Sequence, residues 1–380
     1  MKDGGLPAPI PYVDLSRHWA EERDSLLPAI EAVLASGQWV GGAAVEAFEQ
    51  AFQAWSGIPH CVGVASGTDA LILALRALNI GPGDEVITQP NSFVASAGAI
   101  RMVGAKPVFA DVLPDQNMDP VRIEAAIGPS TKAIMVVHLT GRMGPMAAYR
   151  KIATDHGLAL IEDAAQSVGS RVEGRASGAW GDVGCFSAHP LKNLNACGDA
   201  GFATAQDEVL AQKLRLLRNN GAPDRDSVAI WGTVSRLDPI QAVVLSERLK
   251  CLDQVIDKRR RNAKLYLEAL RRGPVWHPNA AAGEEKRRFD TYHTFVIQAE
   301  DRDGLKEHLA GKGIGSAIHY PIPIHLQPAA AELGYGPDQG RGSFPHAERQ
   351  AGRILSLPIN QFMTEAQVLR VAETINGYYR

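Results

Sequence analysis

Asp163 and Lys192 carry the strongest chemical signal in this sequence. Asp163 closes an apolar run in Glu162-Asp163-Ala164-Ala165-Gln166, and Lys192 sits downstream in Phe186-Ser187-Ala188-His189-Pro190-Leu191-Lys192-Asn193-Leu194-Asn195. A carboxylate at the end of a buried strand can keep a pyridinium nitrogen protonated, and a lysine amine on a nearby loop can form a Schiff base. The pair therefore points to pyridoxal 5'-phosphate chemistry. A lone lysine is ordinarily a solvated surface charge, so the inference rests on the surrounding residues.

Those residues offer a phosphate site. Ser66-Gly67-Thr68-Asp69-Ala70-Leu71 follows an apolar run and opens a helix, which places backbone N–H groups and the Thr68 hydroxyl at a positive helix end. Ser187 ends another apolar run and can add a second hydroxyl. Phe93, in Asn91-Ser92-Phe93-Val94-Ala95-Ser96, is expected to begin a helix after a strand and to offer an aromatic face to the cofactor ring. Gln166 lies close enough to Asp163 to reach another edge of that ring. Ligands of open α/β sheets collect at the carboxyl ends of strands, where these positions fall.

The elements needed to position them are legible. Short apolar runs at 61–65, 85–88, 107–110, 133–138, 158–162, 184–187 and 202–204 alternate with helical stretches at 69–78, 94–103, 120–127, 146–156 and 208–217. That alternation predicts an α/β fold with a mostly parallel central sheet. Gly81-Pro82-Gly83-Asp84 and Gly104-Ala105-Lys106-Pro107 punctuate it where helices end and strands begin. Beyond Leu237 come long helical segments, a strand at 292–298, a helix at 304–312 and a Pro-rich stretch through Tyr320-Pro321-Ile322-Pro323, which predicts a smaller C-terminal α+β lobe. The expected division is an N-terminal arm (1–15), a large cofactor-binding domain (16–245) and a small domain (246–380). The polar segment 279–288 reads as an exposed loop.

Composition narrows the class of function. The 380 residues are 45% hydrophobic and 21% charged, with a formal net charge of -3, enough for a large core and without the basic excess of a nucleic-acid binder. No apolar stretch approaches a membrane span and the first residues lack an apolar signal region, so the expectation is a cytoplasmic protein that engages neither nucleic acid nor membrane. The four cysteines are scattered and the histidines form no ligand-spaced cluster, so no metal is expected. The basic run Lys258-Arg259-Arg260-Arg261 reads as a solvated helix face.

Taken in order, the motifs resemble those of the DegT/DnrJ/EryC1/StrS family, the pyridoxal-phosphate sugar aminotransferases of fold type I. The matching stretches are Gly67-Thr68-Asp69-Ala70-Leu71, Pro82-Gly83-Asp84-Glu85-Val86-Ile87, Gly104-Ala105-Lys106-Pro107-Val108-Phe109, Val137-His138-Leu139, Ile161-Glu162-Asp163-Ala164-Ala165-Gln166 and His189-Pro190-Leu191-Lys192-Asn193-Leu194. Ser235-Arg236-Leu237-Asp238 and Tyr320-Pro321-Ile322-Pro323 with His325-Leu326-Gln327 continue the likeness over most of the chain. The resemblance implies Lys192 as the Schiff-base lysine, Asp163 at the ring nitrogen, Gln166 near the ring hydroxyl and Phe93 stacked on the ring. It implies Gly67, Thr68 and Ser187 at the phosphate.

By the same resemblance the reaction expected is amino transfer from glutamate or glutamine to a keto sugar, nucleotide-linked, in a homodimer with shared active sites. A free keto sugar or a cyclic polyol ketone stays open as acceptor. Sugar 3-dehydratases of the family carry histidine at the lysine position, so Lys192 favours transamination over that alternative, and over a non-catalytic regulatory homologue. His189, His319, Tyr320 and His325 are candidate acceptor contacts or packing residues, and Arg236 is a candidate for the neighbouring subunit's site. The chain departs from the family at Val234, where relatives place an asparagine reaching the partner's phosphate, at Ala188 in place of an aromatic, and in Gly198-Asp199-Ala200-Gly201.

Overall fold

In the computed structural model, residues 8–277 and 287–380 are described. Seven strands form the main sheet: β1 (His60–Val64), β2 (Glu85–Thr88), β3 (Lys106–Phe109), β4 (Thr131–Val137), β5 (Ala159–Asp163), β6 (Val183–Ser187) and β7 (Gly201–Ala205). Their spatial order is β1-β7-β6-β5-β4-β2-β3. Pairing is parallel from β6 through β3, and β7 runs antiparallel to both its neighbours. Strand β1 thus points the same way as β6, and six carboxyl ends share one edge.

Local sequence explains the connections. Helix α1 (Leu15–Ser36) and helix α2 (Ala43–Ser56) precede the sheet, each closed by a left-handed glycine, Gly37 and Gly57. The crossover helices are α3 (Gly67–Ala77), α4 (Ala95–Met102), α5 (Pro120–Ala126), α6 (Met146–Asp155) and α7 (Glu208–Leu217). Ser66, Asp119 and Asp207 cap α3, α5 and α7 by accepting backbone N–H bonds, and Pro120 starts α5 where no N–H is needed.

One face of the sheet packs Leu71, Leu75, Ile100 and Leu214 of the helices over Val86, Met135 and Ile161. A second apolar cluster joins Ile134 and Leu160 to Met146 and Tyr149. Near β7, Phe48, Phe52, Phe186 and Phe202 interlock, the last two stacked at 4.8 Å. Helix α8 (Pro239–Leu249) packs on α1 and α2.

A separate core lies beyond it. Helix α9 (Leu252–Ala269) leads to a second sheet, β8 (Val275–Trp276), β9 (Phe295–Ala299) and β10 (Ile354–Leu357), all antiparallel, flanked by α10 (Arg302–Gly311), α11 (Pro345–Ala351) and α12 (Glu365–Tyr378). Tyr266, Phe295, Leu305, Leu355 and Val368 fill this core. The chain's beginning is stitched to it, since Ile10 is buried and exchanges backbone hydrogen bonds of 2.8 and 2.9 Å with Gly313 and Gly315.

Three expectations change. The strand expected from Tyr292 starts at Phe295, because Tyr292 has φ 46° and breaks the extended chain. Most of the loop expected at 279–288 lies outside the described residues, and its last residue, Arg288, pairs with Val172 in a short antiparallel ribbon. The basic run at 258–261 is not a uniformly solvated face. Arg259 is buried, and Arg260 lies 3.9 Å over the Phe289 ring while donating to the Asp290 carbonyl.

Candidate active site

The carboxyl edge of the main sheet and the start of the second lobe enclose a cavity of about 450 Å³. Its wall contains Gly67 and Thr68 after β1, Phe93 after β2, Asp163 and Gln166 at the end of β5, Ser187 at the end of β6, and His189 and Lys192 after it. His319 and Tyr320 close it from the second lobe. Ten residues proposed from sequence are brought together, and two are not. Arg236 lines a different cleft, beside Arg218, and donates to Asn219 Oδ1 at 3.2 Å. His325 is fully buried in an aromatic cluster with Phe109 and Phe344, its Nε2 3.1 Å from Glu348. An internal hydrogen-bonding and packing role occupies that ring, and burial disfavours its charged form.

Asp163 is held from two sides. Ser96 Oγ donates to Oδ2 at 2.8 Å and the Ala165 N–H to Oδ1 at 3.2 Å. Burial pushes its carboxyl above the usual range, while Ser96, Ala165 and Lys192 pull the other way. Lys192 makes no hydrogen bond through Nζ among the described residues, and burial lowers its ammonium to about 8 against the pull of Asp163. A buried amine that sheds its proton near neutrality is a nucleophile and a base, which is what lysine chemistry requires.

The next-door carboxylate does different work. Glu162 accepts the N–H groups of Gly178, Trp180 and Gly181 at 3.0, 2.7 and 2.5 Å and lies 2.8 Å from His138 Nε2. It ties the turn between β5 and β6 to the end of β4, and so fixes the strand ends that carry the site.

At the other end of the cavity Ser66 caps α3 by accepting from the Asp69 N–H at 3.0 Å, which leaves the first N–H groups of the helix without internal acceptors. The Thr68 hydroxyl has no hydrogen-bond partner among the described residues. A Cβ on Gly67 would come 2.6 Å from Ser187 Cβ, so the helix start and the end of β6 approach as closely as glycine permits. A Cβ on Gly201 would lie 2.6 Å from the Gly67 nitrogen and closer to the Ser66 carbonyl. These hydroxyls and N–H groups are suited to a phosphate, and with Asp163 and Lys192 beyond them the donor set fits pyridoxal phosphate.

Phe93 precedes α4 rather than starting it and is 53% exposed, its ring 5.5 Å from that of Tyr320. Gln166 Oε1 accepts from the Thr140 N–H at 2.7 Å, and its Nε2 donates toward the Tyr320 hydroxyl at 3.4 Å. Its amide is therefore oriented before any ligand arrives. Burial and Asp163 push the Tyr320 hydroxyl upward, and burial lowers His319, whose Nδ1 is 2.9 Å from Ser356 Oγ. Sequence reasoning missed Ser96, Glu162, His293 and Asp199. Asp199 and His293 line the cavity, yet nothing in their spacing signals it.

The profile of the DegT/DnrJ/EryC1/StrS aminotransferase family matches residues 20–376. The chain is 44% identical to UDP-N-acetyl-3-dehydro-alpha-D-glucosamine 3-aminotransferase of Acidithiobacillus ferrooxidans, over 96% of this chain and 97% of that one. It is 38% identical to the pleiotropic regulatory protein of Geobacillus stearothermophilus, over 98% and 99% respectively. Among solved structures, S. venezuelae DesV superimposes with a TM-score of 0.93 at 41% identity, over 98% of this chain and 99% of that chain.

Proposed function

The chain belongs to the DegT/DnrJ/EryC1/StrS aminotransferase family, and from that premise we propose that it moves an amino group from glutamate or glutamine to a keto sugar carried on a nucleotide, with pyridoxal 5'-phosphate as cofactor. The family and the structural neighbours are pyridoxal-phosphate-dependent aminotransferases. The observation that carries the reading is the Lys192 amine, with its ammonium lowered to about 8, facing the same cavity as the buried Asp163.

Bound there, pyridoxal phosphate supplies an electron sink for the pair released when the donor's Cα–H bond breaks. The protein's own groups do the rest. Lys192 Nζ takes the proton from Cα and delivers it on the other side of the transferred nitrogen. Asp163, held in place by Ser96 and the Ala165 N–H, would accept the ring N–H and keep it protonated. Thr68, Ser187 and the α3 N–H groups would hold the phosphate. Phe93 would cover the ring, Gln166 would reach its phenolic oxygen, and Tyr320 and His319 would exclude water on the second-lobe side.

The acceptor assignment follows relatives such as the UDP-linked 3-aminotransferase. One relative bears a regulatory name, but the lysine and carboxylate needed for turnover are both present here. A homodimer with shared sites is part of the reading. Asn220 N donates to the Thr233 carbonyl at 2.9 Å, and the segment from Asn220 to Val234 presents Val228, Trp231 and Val234 at 59, 85 and 59% exposure. Borohydride reduction of the holoenzyme followed by peptide mapping tests the cofactor assignment, which fails if the pyridoxyl group maps to a lysine other than Lys192. A panel of keto sugars against the pyridoxamine form tests the acceptor, expected to restore the aldehyde spectrum with a nucleotide-linked sugar.

A further inference from the structure

Arg259 on α9 is 8% exposed. Its Nη1 donates to the carbonyls of Tyr292, His293 and Ile359 at 3.3, 3.1 and 2.7 Å, and its buried Nε–H has no acceptor. Among the described residues no carboxylate pairs with it. A buried guanidinium is normally matched by an anion, since carbonyl dipoles only partly offset the loss of water.

This cation lines a small chamber of about 60 Å³ together with Tyr12, Lys192, His293 and His319. Leu191, Lys192, His293 and His319 also line the main cavity, so these four residues are common to both linings. The positive charge here is that of Arg259, with Lys192 in the same lining. Burial lowers the His293 imidazole far below its usual range, and Lys192, Arg259, His319 and His189 all push it the same way. The carboxylate in the chamber's lining, Asp14, is occupied in capping α1 through the Arg17 N–H at 3.0 Å.

We propose that the chamber binds the carboxylate of the amino-acid donor, with Arg259 as the group that recognises it. This rests on the aminotransferase reading. The space takes a few waters or one carboxylate and is too small for a nucleotide diphosphate. Thr68 and Ser187, the hydroxyls suited to the phosphate, contribute nothing to its lining, so the cofactor's own anion is not its occupant. Both candidate donors carry an α-carboxylate next to the amine that must meet the cofactor beside Lys192, and Lys192 lines the chamber as well as the main cavity.

The test follows each half-reaction of the holoenzyme by cofactor absorbance, using L-glutamate as donor and the keto sugar that restores the aldehyde spectrum as acceptor. Arg259→Gln is expected to raise the KM for L-glutamate about 10- to 150-fold, the range for losing one charge-assisted hydrogen bond, and to leave the KM for the keto sugar within about 3-fold. Sodium acetate is expected to compete with L-glutamate but not with the keto sugar in the wild type, and to lose that effect in the variant. Equal rises in both KM values would mean that Arg259 only braces the fold and would overturn the proposal. Should Arg259→Gln fail to fold, wild-type acetate inhibition decides alone, its absence against L-glutamate overturning the assignment. A wild type that no amino acid converts would instead overturn the aminotransferase reading, and this site with it.

Discussion

The lowered proton affinity of Lys192 has a direct kinetic consequence for cofactor capture. Only the neutral amine attacks an aldehyde. With the ammonium at about 8, about a quarter of Lys192 is neutral at pH 7.5, against about 0.1% of an ordinary lysine near 10.4. Capture of pyridoxal phosphate by apoprotein should therefore be some 250-fold faster at pH 7.5 than the proton affinity of a solvated lysine would allow. The assay is stopped-flow absorbance after mixing apoprotein with pyridoxal phosphate across a pH series, normalised to the same reaction with a lysine peptide to remove the cofactor's own titration. The rate should rise with an inflection near 8. Asp163→Asn sharpens the test, because the Asp163 charge favours the ammonium form and its removal must move the inflection lower. An inflection near 10, or a shift upward in Asp163→Asn, would refute the claim that burial sets the lysine's reactivity.

Three further outcomes can be checked. Glu162→Ala strands three buried N–H groups and the His138 ring, so it should cost about 3–5 kcal/mol in denaturant unfolding; a loss under about 1 kcal/mol would show that water replaces the carboxylate. Gly201→Ala drives a methyl into the Ser66–Gly67 backbone, and the expected result is at least a tenfold weaker pyridoxal phosphate affinity by equilibrium titration with the fold retained; unchanged affinity would separate that turn from the phosphate. Val234→Asn should tighten cofactor binding by about 1.5–3 kcal/mol if the residue faces the partner's phosphate, measured by titration alongside light scattering, with an active monomer contradicting the shared site.

Much of the site was legible because its residues end strands. Asp163, Ser187 and the Gly67-Thr68 turn each follow an apolar run and precede a polarity change, so local pattern alone places them on one edge of a parallel sheet. What stayed hidden depends on tertiary approach. Ser96 looks like one more polar residue in a helix until β5 brings Asp163 to 2.8 Å. Glu162 neighbours Asp163 in sequence and faces the opposite way, as strand alternation demands, yet its three N–H donors come from a turn whose path no periodicity reveals. His325 takes the packing alternative of its two readings, a motif residue that the fold turns into the aromatic cluster around Phe344.

Arg259 could have been found from helical geometry. Four consecutive residues on an α-helix at about 100° each span most of its circumference, so Lys258 to Arg261 cannot all share a solvated face. Ile256, Asn262, Ala263 and Tyr266 mark the buried stripe of α9, and Arg259 is three residues from the first two of these and four from Ala263. The inward cation was thus implied by spacing once the stripe was drawn. Only the three carbonyls it reaches, and the chamber it shares with Lys192, required the folded chain. A sequence that places an arginine on the buried face of a helix, with no acidic residue one turn away on that face, leaves a positive charge that the fold or a ligand must answer.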